Sequence, residues 1–152
     1  MSSRSLTAAE IGLARTMFAD AIDYSRVKII ARKWWPFQPR QVAMAPDGNL
    51  WLSPKGDLFC EDFCERPLER QGLFIHEMTH VWQHQQGINL IVRRHPFCRY
   101  GYTLQPHRAF GSYGIEQQAE IVRHAFLLRH GAHVQGAPPL AIYKDTLPFP
   151  MA

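Results

Sequence analysis

The spacing of apolar residues predicts a helix at the start of the chain and a strand after it. Apolar side chains recur at helical spacing from Thr7 to Tyr24, and Glu10 follows Thr7 by three residues, which is the capping-box pattern. Residues 27–31 form a short run with β-branched side chains, which predicts a strand. Residues 32–40 hold tryptophans and prolines, so we expect an irregular connection there.

Two further short strands are predicted at residues 41–45 and 49–53. Pro46, Asp47 and Gly48 lie between them and form a good turn sequence, so the pair is expected to be a hairpin. The second strand precedes the longest helix of the chain, and its edge could pair with an extended peptide through main-chain hydrogen bonds. The simpler interpretation is that residues 49–53 form an ordinary core strand.

Two long helices are predicted in the second half of the chain. The first covers about residues 67–86, with Pro67 at its start and Gly87 just past its end. The second covers about residues 113–130 and is stopped by Gly131. The order helix, small sheet, helix, helix predicts a compact α+β domain.

Length and composition fit one domain. The chain has 152 residues, of which 46% are hydrophobic and 20% charged, so it can bury a core and is ordinary for a globular protein. We therefore predict a single domain over residues 1–152, with irregular ends at residues 1–5 and about 136–152. Its sheet is expected to be small and antiparallel, and to pack against the two long helices.

The charge balance is mildly basic and does not require nucleic acid. The formal net charge is +4 and the isoelectric point is near 9.2. Residues 32–40 are a basic stretch in which Trp34 and Trp35 could stack on bases, but buried tryptophans that anchor a loop explain it more simply. No apolar window approaches the length of a membrane span. We expect neither nucleic acid nor a membrane as a partner.

The cysteine content predicts free thiols in a reducing compartment. Cys60, Cys64 and Cys98 are an odd number and cannot form a complete set of disulfides, and the first two lack a matching second pair for a zinc site. Residues 1–13 contain no apolar stretch of the kind that a signal peptide needs. We therefore expect a cytoplasmic location, and any export would use a secretion system that needs no leader.

An H-E-x-x-H motif lies within the first long helix, at His76-Glu77-Met78-Thr79-His80. At ~100° per residue, His80 lies about 40° around the helix from His76, so both imidazoles can reach one metal ion. Glu77 lies beside them, where it can take a proton from an attacking water. The opposite side of the helix is apolar and would anchor it, through Phe74, Met78, Val81 and Trp82.

A catalytic zinc needs a third protein ligand, which we expect to be Glu116. His84 is excluded because it lies a further turn past His80, about 12 Å along a helix axis from His76. Glu116 and Glu120 are one turn apart on the second long helix, so Glu116 can bind the metal while Glu120 accepts a hydrogen bond from a liganding histidine. These two roles could be exchanged. Histidine and glutamate ligands favour zinc, with one ion per chain.

The predicted chemistry is zinc-dependent hydrolysis of a peptide bond. Glu77 would act as the general base and then return the proton to the leaving amine. A further side chain should stabilise the transition state, and the sequence does not choose among the candidates. They are Tyr113, His107 and His124, with Tyr102 and Arg108 as further possibilities.

With these residues in place, the chain resembles the gluzincins, the superfamily that includes thermolysin. Gluzincins carry H-E-x-x-H on one helix and a glutamate ligand on a following helix, often with an acidic residue four positions later. The motif residues above stand in that order. More narrowly, residues 76–83 and 115–122 are similar to Vgr-related and Rhs-associated metallopeptidase-like proteins of bacteria, and to such domains in extracellular contractile injection systems.

The resemblance implies a minimal zincin-like fold, a zinc site and an association with toxin delivery. We therefore predict a zinc metalloendopeptidase that acts on a peptide or protein substrate, as an effector or processing factor of a secretion system. Vgr- or Rhs-type proteins would be its further partners. The alternative is an inactive, zinc-stapled module of a secretion particle, against which the presence of Glu77 argues.

Overall fold

The chain folds into helices packed around one three-stranded sheet. The computed structural model describes residues 2–93 and 99–151. The strands are β1 (Ser3–Ser5), β2 (Lys28–Ile30) and β3 (Leu50–Trp51). The helices are α1 (Ala8–Phe18), α2 (Leu68–Gln85), α3 (Leu90–Arg93), α4 (Ile115–Arg129) and α5 (Leu140–Thr146), and short 3-10 turns lie at Tyr24–Arg26, Phe63–Glu65 and Phe110–Ser112. The predicted α+β class is confirmed.

The sheet is mixed, not antiparallel as predicted. Its order is β1-β2-β3, in which β1 pairs antiparallel with β2 but β3 runs parallel to it. The prediction counted a hairpin at residues 41–53, and the structure reduces that hairpin to one antiparallel bridge between Met44 and Trp51. Residues before this bridge form a turn instead of a strand, since the Val42 N–H donates to the Pro39 carbonyl.

The side chain of Gln38 makes hydrogen bonds in place of the strand pairing that the predicted hairpin would have had. Gln38 is fully buried, and its amide Nε2 donates to the carbonyls of Val42 and Trp51 at 2.8 and 2.9 Å. Residues 49–53 were predicted to offer a strand edge to a peptide. The backbone N–H and carbonyl of Trp51 at their centre are already hydrogen-bonded to Met44, and the carbonyl also accepts from Gln38, so they are not available for that pairing. The outer edge of this part of the fold is the segment around Met44.

The first helix is shorter than its apolar pattern suggests. Its capping box between Thr7 and Glu10 is present as predicted, but the helix ends at Phe18 and not at Tyr24. Ala19 has a positive φ of 50° and donates its N–H to the Arg15 carbonyl, which turns the chain out of the helix. The Tyr24 side chain then folds back, and its hydroxyl donates to the Ala19 carbonyl at 2.8 Å.

Both ends of the chain are more regular than predicted. Near the start, β1 is held because Arg4 donates to both carboxylate oxygens of fully buried Glu10, at 2.8 and 2.9 Å, and also to the Cys60 carbonyl. Near the end, residues 140–146 form α5 instead of the predicted irregular end, because Tyr143 is fully buried on one face of a helical turn. Both corrections depend on contacts that are distant in sequence.

The two long helices lie where the sequence predicts them and pack closely together. A Cβ atom on Gly72 of α2 would lie 3.2 Å from Leu127 Cδ2 and 3.5 Å from Arg123 Cγ, so glycine permits this approach of α2 to α4. The close packing brings the polar side chains of the two helices into one buried cluster.

The remaining sequence predictions have mixed outcomes. Cys60 and Cys64 are free thiols, as predicted, and Cys98 lies outside the described residues. Trp34 is half-buried against Trp51, but Trp35 is exposed and does not anchor the loop as expected. Within the described residues, no helix combines the length and the apolar character needed to cross a membrane.

Candidate metal centre

Three buried side chains converge between α2 and α4. His76 and His80, one turn apart on α2, direct their Nε2 atoms at the same oxygen of Glu116, at the start of α4. Glu116 Oε1 lies 3.2 Å from His76 Nε2 and 3.0 Å from His80 Nε2. All three potential ligand atoms lie within 4.8 Å of one another, and the group could hold a metal ion.

A carboxylate fixes the ring of His76 from behind. Glu120 Oε2 lies 2.9 Å from His76 Nδ1, and Arg123 donates to the same oxygen at 2.7 Å and to Glu120 Oε1 at 3.2 Å. Burial raises the pKa of Glu120, but the hydrogen bonds with His76 and Arg123 outweigh it and lower the pKa to about 2. Glu120 therefore stays ionised and orients the ring.

A neutral amide fixes the ring of His80 in the same way. Gln83 is fully buried, and its Nε2 donates to the Ile115 carbonyl and to Gln118 Oε1, both at 3.0 Å. Its Oε1 must then face His80 Nδ1, which lies 2.8 Å away and donates to it. Gln83 was not among the site residues predicted from the sequence, although its position one helical turn after His80 places it on the same face of α2.

With both rings in these tautomers, a cation is needed between the two Nε2 atoms and Glu116 Oε1. Because the Nδ1 of each ring is used by an oxygen acceptor, each neutral ring presents the Nε2 lone pair to the Glu116 carboxylate. Lone pairs and a carboxylate repel one another unless a proton or a metal ion lies between them. Burial lowers the pKa of His76, but hydrogen bonds with Glu116 and Glu120 raise it to about 10, so a proton takes this place in the metal-free protein. The donor set therefore fits a bound cation.

Glu77 lies next to this cluster in an open cleft. Its Oε1 is 4.0 Å from His76 Nε2, and the side chain is buried. The cleft has a volume of about 840 Å³, and the floor is formed by the motif histidines, Glu77 and Glu116. Two chain segments contribute further lining residues, residues 34–46 and, among the described residues of the second segment, Leu90, Ile91 and Tyr100. A carboxylate beside a potential metal site can act as a general base.

The three predicted transition-state stabilisers lie outside the lining of this cleft. Tyr113 is buried, and its hydroxyl accepts the Gln105 N–H at 3.0 Å. His107 is exposed. His124 lies behind Glu120, where its Nδ1 is 2.6 Å from the Tyr102 hydroxyl.

Among the described residues, Tyr100 is the tyrosine that lines the cleft, and it was not among the residues predicted from the sequence. Its ring lies nearly parallel to that of His76, with centroids 6.2 Å apart and an angle of 16° between the planes. His84, which we excluded as a ligand, is exposed on α2 beside Gly48.

The fold and the site define the protein as an α+β domain with a buried His-His-Glu cluster at the floor of a cleft. No family model matches the chain. It is 42% identical over 136 residues to the type VI secretion system spike protein VgrG2b of Pseudomonas aeruginosa, an alignment that covers 83% of this chain and 13% of that protein. The solved structure of the effector domain of Pseudomonas aeruginosa VgrG2b is similar at a TM-score of 0.79 and 38% identity, covering 95% of this chain and 81% of that one.

The chain therefore belongs to the family of VgrG2b-type effector domains of type VI secretion. It spans only a small part of the full-length spike protein, which is why that protein's other properties do not transfer directly. The relationship supports a role as a secretion-system effector, in agreement with the Vgr context predicted from residues 76–83 and 115–122.

Proposed function

We propose that the domain is a zinc-dependent endopeptidase of the gluzincin type, with a zincin-like fold. The observation that carries this proposal is the convergence of His76, His80 and Glu116 beside Glu77 at the floor of an open cleft. In tetrahedral zinc sites with bonds of about 2.0–2.1 Å, neighbouring ligand atoms are roughly 3.3 Å apart. The separations of 3.0 and 3.2 Å between Glu116 Oε1 and the two Nε2 atoms are compatible with that spacing.

The bound ion and the protein would divide the chemistry between them. These three residues would hold the zinc ion, which would supply Lewis-acid chemistry at the floor of the cleft. Glu77 takes the proton from the attacking water and delivers it to the leaving amine nitrogen. Glu120 and Gln83 keep the two imidazoles in the tautomer that leaves Nε2 free for the ion.

The cleft also offers a backbone edge on which a peptide can be aligned. Met44 uses its N–H and carbonyl for the bridge to Trp51, so the backbone groups of Ala43 and Ala45 point the opposite way in an extended segment. Both alanines line the cleft. Pairing with this edge would lay an extended substrate across Glu77, a role that the sequence analysis had assigned to residues 49–53.

The biological setting follows from the family. As a VgrG2b-type effector domain, the protein would act on a peptide or protein after delivery by a Vgr- or Rhs-type secretion apparatus. The predicted cytoplasmic location would then apply to the protein inside the cell that produces it, before delivery.

Cleavage of an unfolded protein substrate tests the proposed function directly. The purified domain should cut a denatured, reduced protein when loaded with one equivalent of zinc, and cutting should stop after chelation and return when zinc is restored. Mass spectrometry of the fragments would give the cleaved bonds. Tight zinc binding without any cleavage would instead support the inactive, zinc-stapled module.

Gln83→Met should weaken zinc binding while Gln86→Met does not. Gln83 holds His80 through Nδ1 and ties α2 to α4, and loss of such a supporting hydrogen bond typically costs 10- to 100-fold in metal affinity. Gln86 is exposed at the end of the same helix and serves as the matched control. Competition with a chromophoric chelator gives both affinities, and equal values for the two variants would refute the role of Gln83.

A further inference from the structure

Most of the exposed large apolar side chains belong to the two chain segments that contribute to the cleft lining. Among the described residues, the exposed large apolar side chains are Trp35, Phe37, Val42, Ile91, Val92, Tyr100 and Ile142. All of them except Ile142 belong to these two segments, residues 34–46 and the described residues of 90–100. Apolar side chains that cluster on a surface mark an interaction site, whereas single ones do not.

The most exposed of these side chains do not line the cleft itself. Phe37 is 76% exposed and Val92 is 77% exposed, and neither belongs to the cleft lining. Phe37 packs edge-on against Trp35, with ring centroids 5.3 Å apart, and Val92 follows Ile91 on α3. A ligand inside the cleft would therefore leave both side chains in water, whereas a broad surface laid across its mouth would cover them.

The same two segments carry positive charge and no acidic residue. No Asp or Glu occurs at positions 24–46 or at positions 78–115 of the sequence. Arg40 in the first segment, and Arg93 and Arg99 in the second, are exposed. A surface that complements this face is anionic and has an apolar layer beneath its charges.

We propose that this face, formed by residues 34–46 and the described residues of 90–100, docks on the surface of an anionic phospholipid bilayer. Phe37 and Val92 would enter the interface between headgroups and acyl chains, while the arginines bind lipid phosphates. A fluid interface accepts projecting side chains without a shaped pocket for each, which a protein partner would have to provide. The cleft would then open towards polypeptide segments that lie close to the membrane.

This proposal revises the expectation that no membrane is involved. That expectation came from the absence of an apolar window long enough to span a bilayer, a criterion that detects spanning segments only. Surface docking instead uses side chains from two chain segments that are far apart in sequence and both contribute to the cleft lining. It does not depend on the zinc chemistry, so it can be tested on metal-free protein.

Vesicle flotation tests the apolar part of the proposal. The metal-free and the zinc-loaded protein should both float with vesicles of phosphatidylcholine and phosphatidylglycerol in equal parts, and less with phosphatidylcholine alone. The Phe37→Ser/Val92→Ser variant should bind at least about tenfold more weakly, since two apolar anchors are lost. Ile142→Ser, which removes an exposed apolar side chain outside this face, should bind as the unaltered protein does.

A charge-matched pair of variants tests the electrostatic part. Arg40→Glu/Arg93→Glu and Arg66→Glu/Lys144→Glu change the net charge equally, and all four positions are exposed. Only the first pair should abolish binding to the anionic vesicles, and added salt should weaken binding by the unaltered protein.

Three outcomes would overturn the proposal: no flotation of the unaltered protein, equal flotation with neutral vesicles, or equal losses in the test and control variants. Binding of a soluble acidic, aromatic peptide that depends on the same residues, without any vesicle binding, would also overturn it. That result would assign the face to a polypeptide instead.

Discussion

Glu77→Gln is expected to keep zinc bound and to lower kcat for peptide cleavage by about 10²- to 10⁴-fold, the usual contribution of a general base. The amide has the shape of the carboxylate but cannot accept a proton from water. Glu77 lies beside the metal cluster and not within it, so the three ligand atoms are unchanged. Cleavage assays and elemental analysis on the same preparation separate the two effects.

A glutamate elsewhere on the same helix provides the control for this experiment. Glu69 is exposed in the first turn of α2, so Glu69→Gln makes the same chemical change away from the cleft and should leave kcat unaltered. If Glu77→Gln retains full turnover, the base must be another group and the proposed mechanism is wrong. If its zinc content falls to zero, Glu77 is a ligand and the His-His-Glu assignment fails.

Glu116→Gln is expected to lose most of its zinc, from about one ion per chain in the unaltered protein purified without added metal. The carboxylate is the only acidic member of the cluster. Burial raises its pKa, but its contacts with the His76 and His80 side chains outweigh burial and hold the pKa well below the usual range. A neutral amide removes that charge with little change in volume. Elemental analysis gives the metal content, and circular dichroism shows whether the fold persists.

Glu120→Gln distinguishes the supporting carboxylate from the ligand. Glu120 contacts His76 Nδ1, on the far side of the ring from the cluster. This variant should keep zinc at high metal concentration and bind it about 10- to 100-fold more weakly. The reverse pattern, with zinc lost in Glu120→Gln and kept in Glu116→Gln, would exchange the roles of the two residues.

The sequence by itself determined the parts of the site that lie at fixed spacings on helices. His76, Glu77 and His80 share one face of α2 because the helical repeat dictates it. Glu116 and Glu120 are likewise one turn apart on α4, and the caps and glycines around both helices limit their ends to within a residue or two. The expectation that these two faces meet is realised in the buried cluster.

Tertiary structure decided everything that depends on residues far apart in the chain. The hairpin gave way to a single bridge because Gln38, a polar residue with no local signal, takes the carbonyls of Val42 and Trp51. The helix at residues 140–146 forms because Tyr143 finds a place in the core, which local propensity does not encode.

The surroundings of the site were also decided by the fold. Tyr100 reaches the cleft while Tyr113, His107 and His124 do not, because loop paths follow long-range packing and not residue type. The exposed apolar face arises in the same way, from two chain segments that the sequence separates by more than forty positions. Helical periodicity is local and can be read from the sequence. Contacts between residues that are distant in sequence depend on how the whole chain packs.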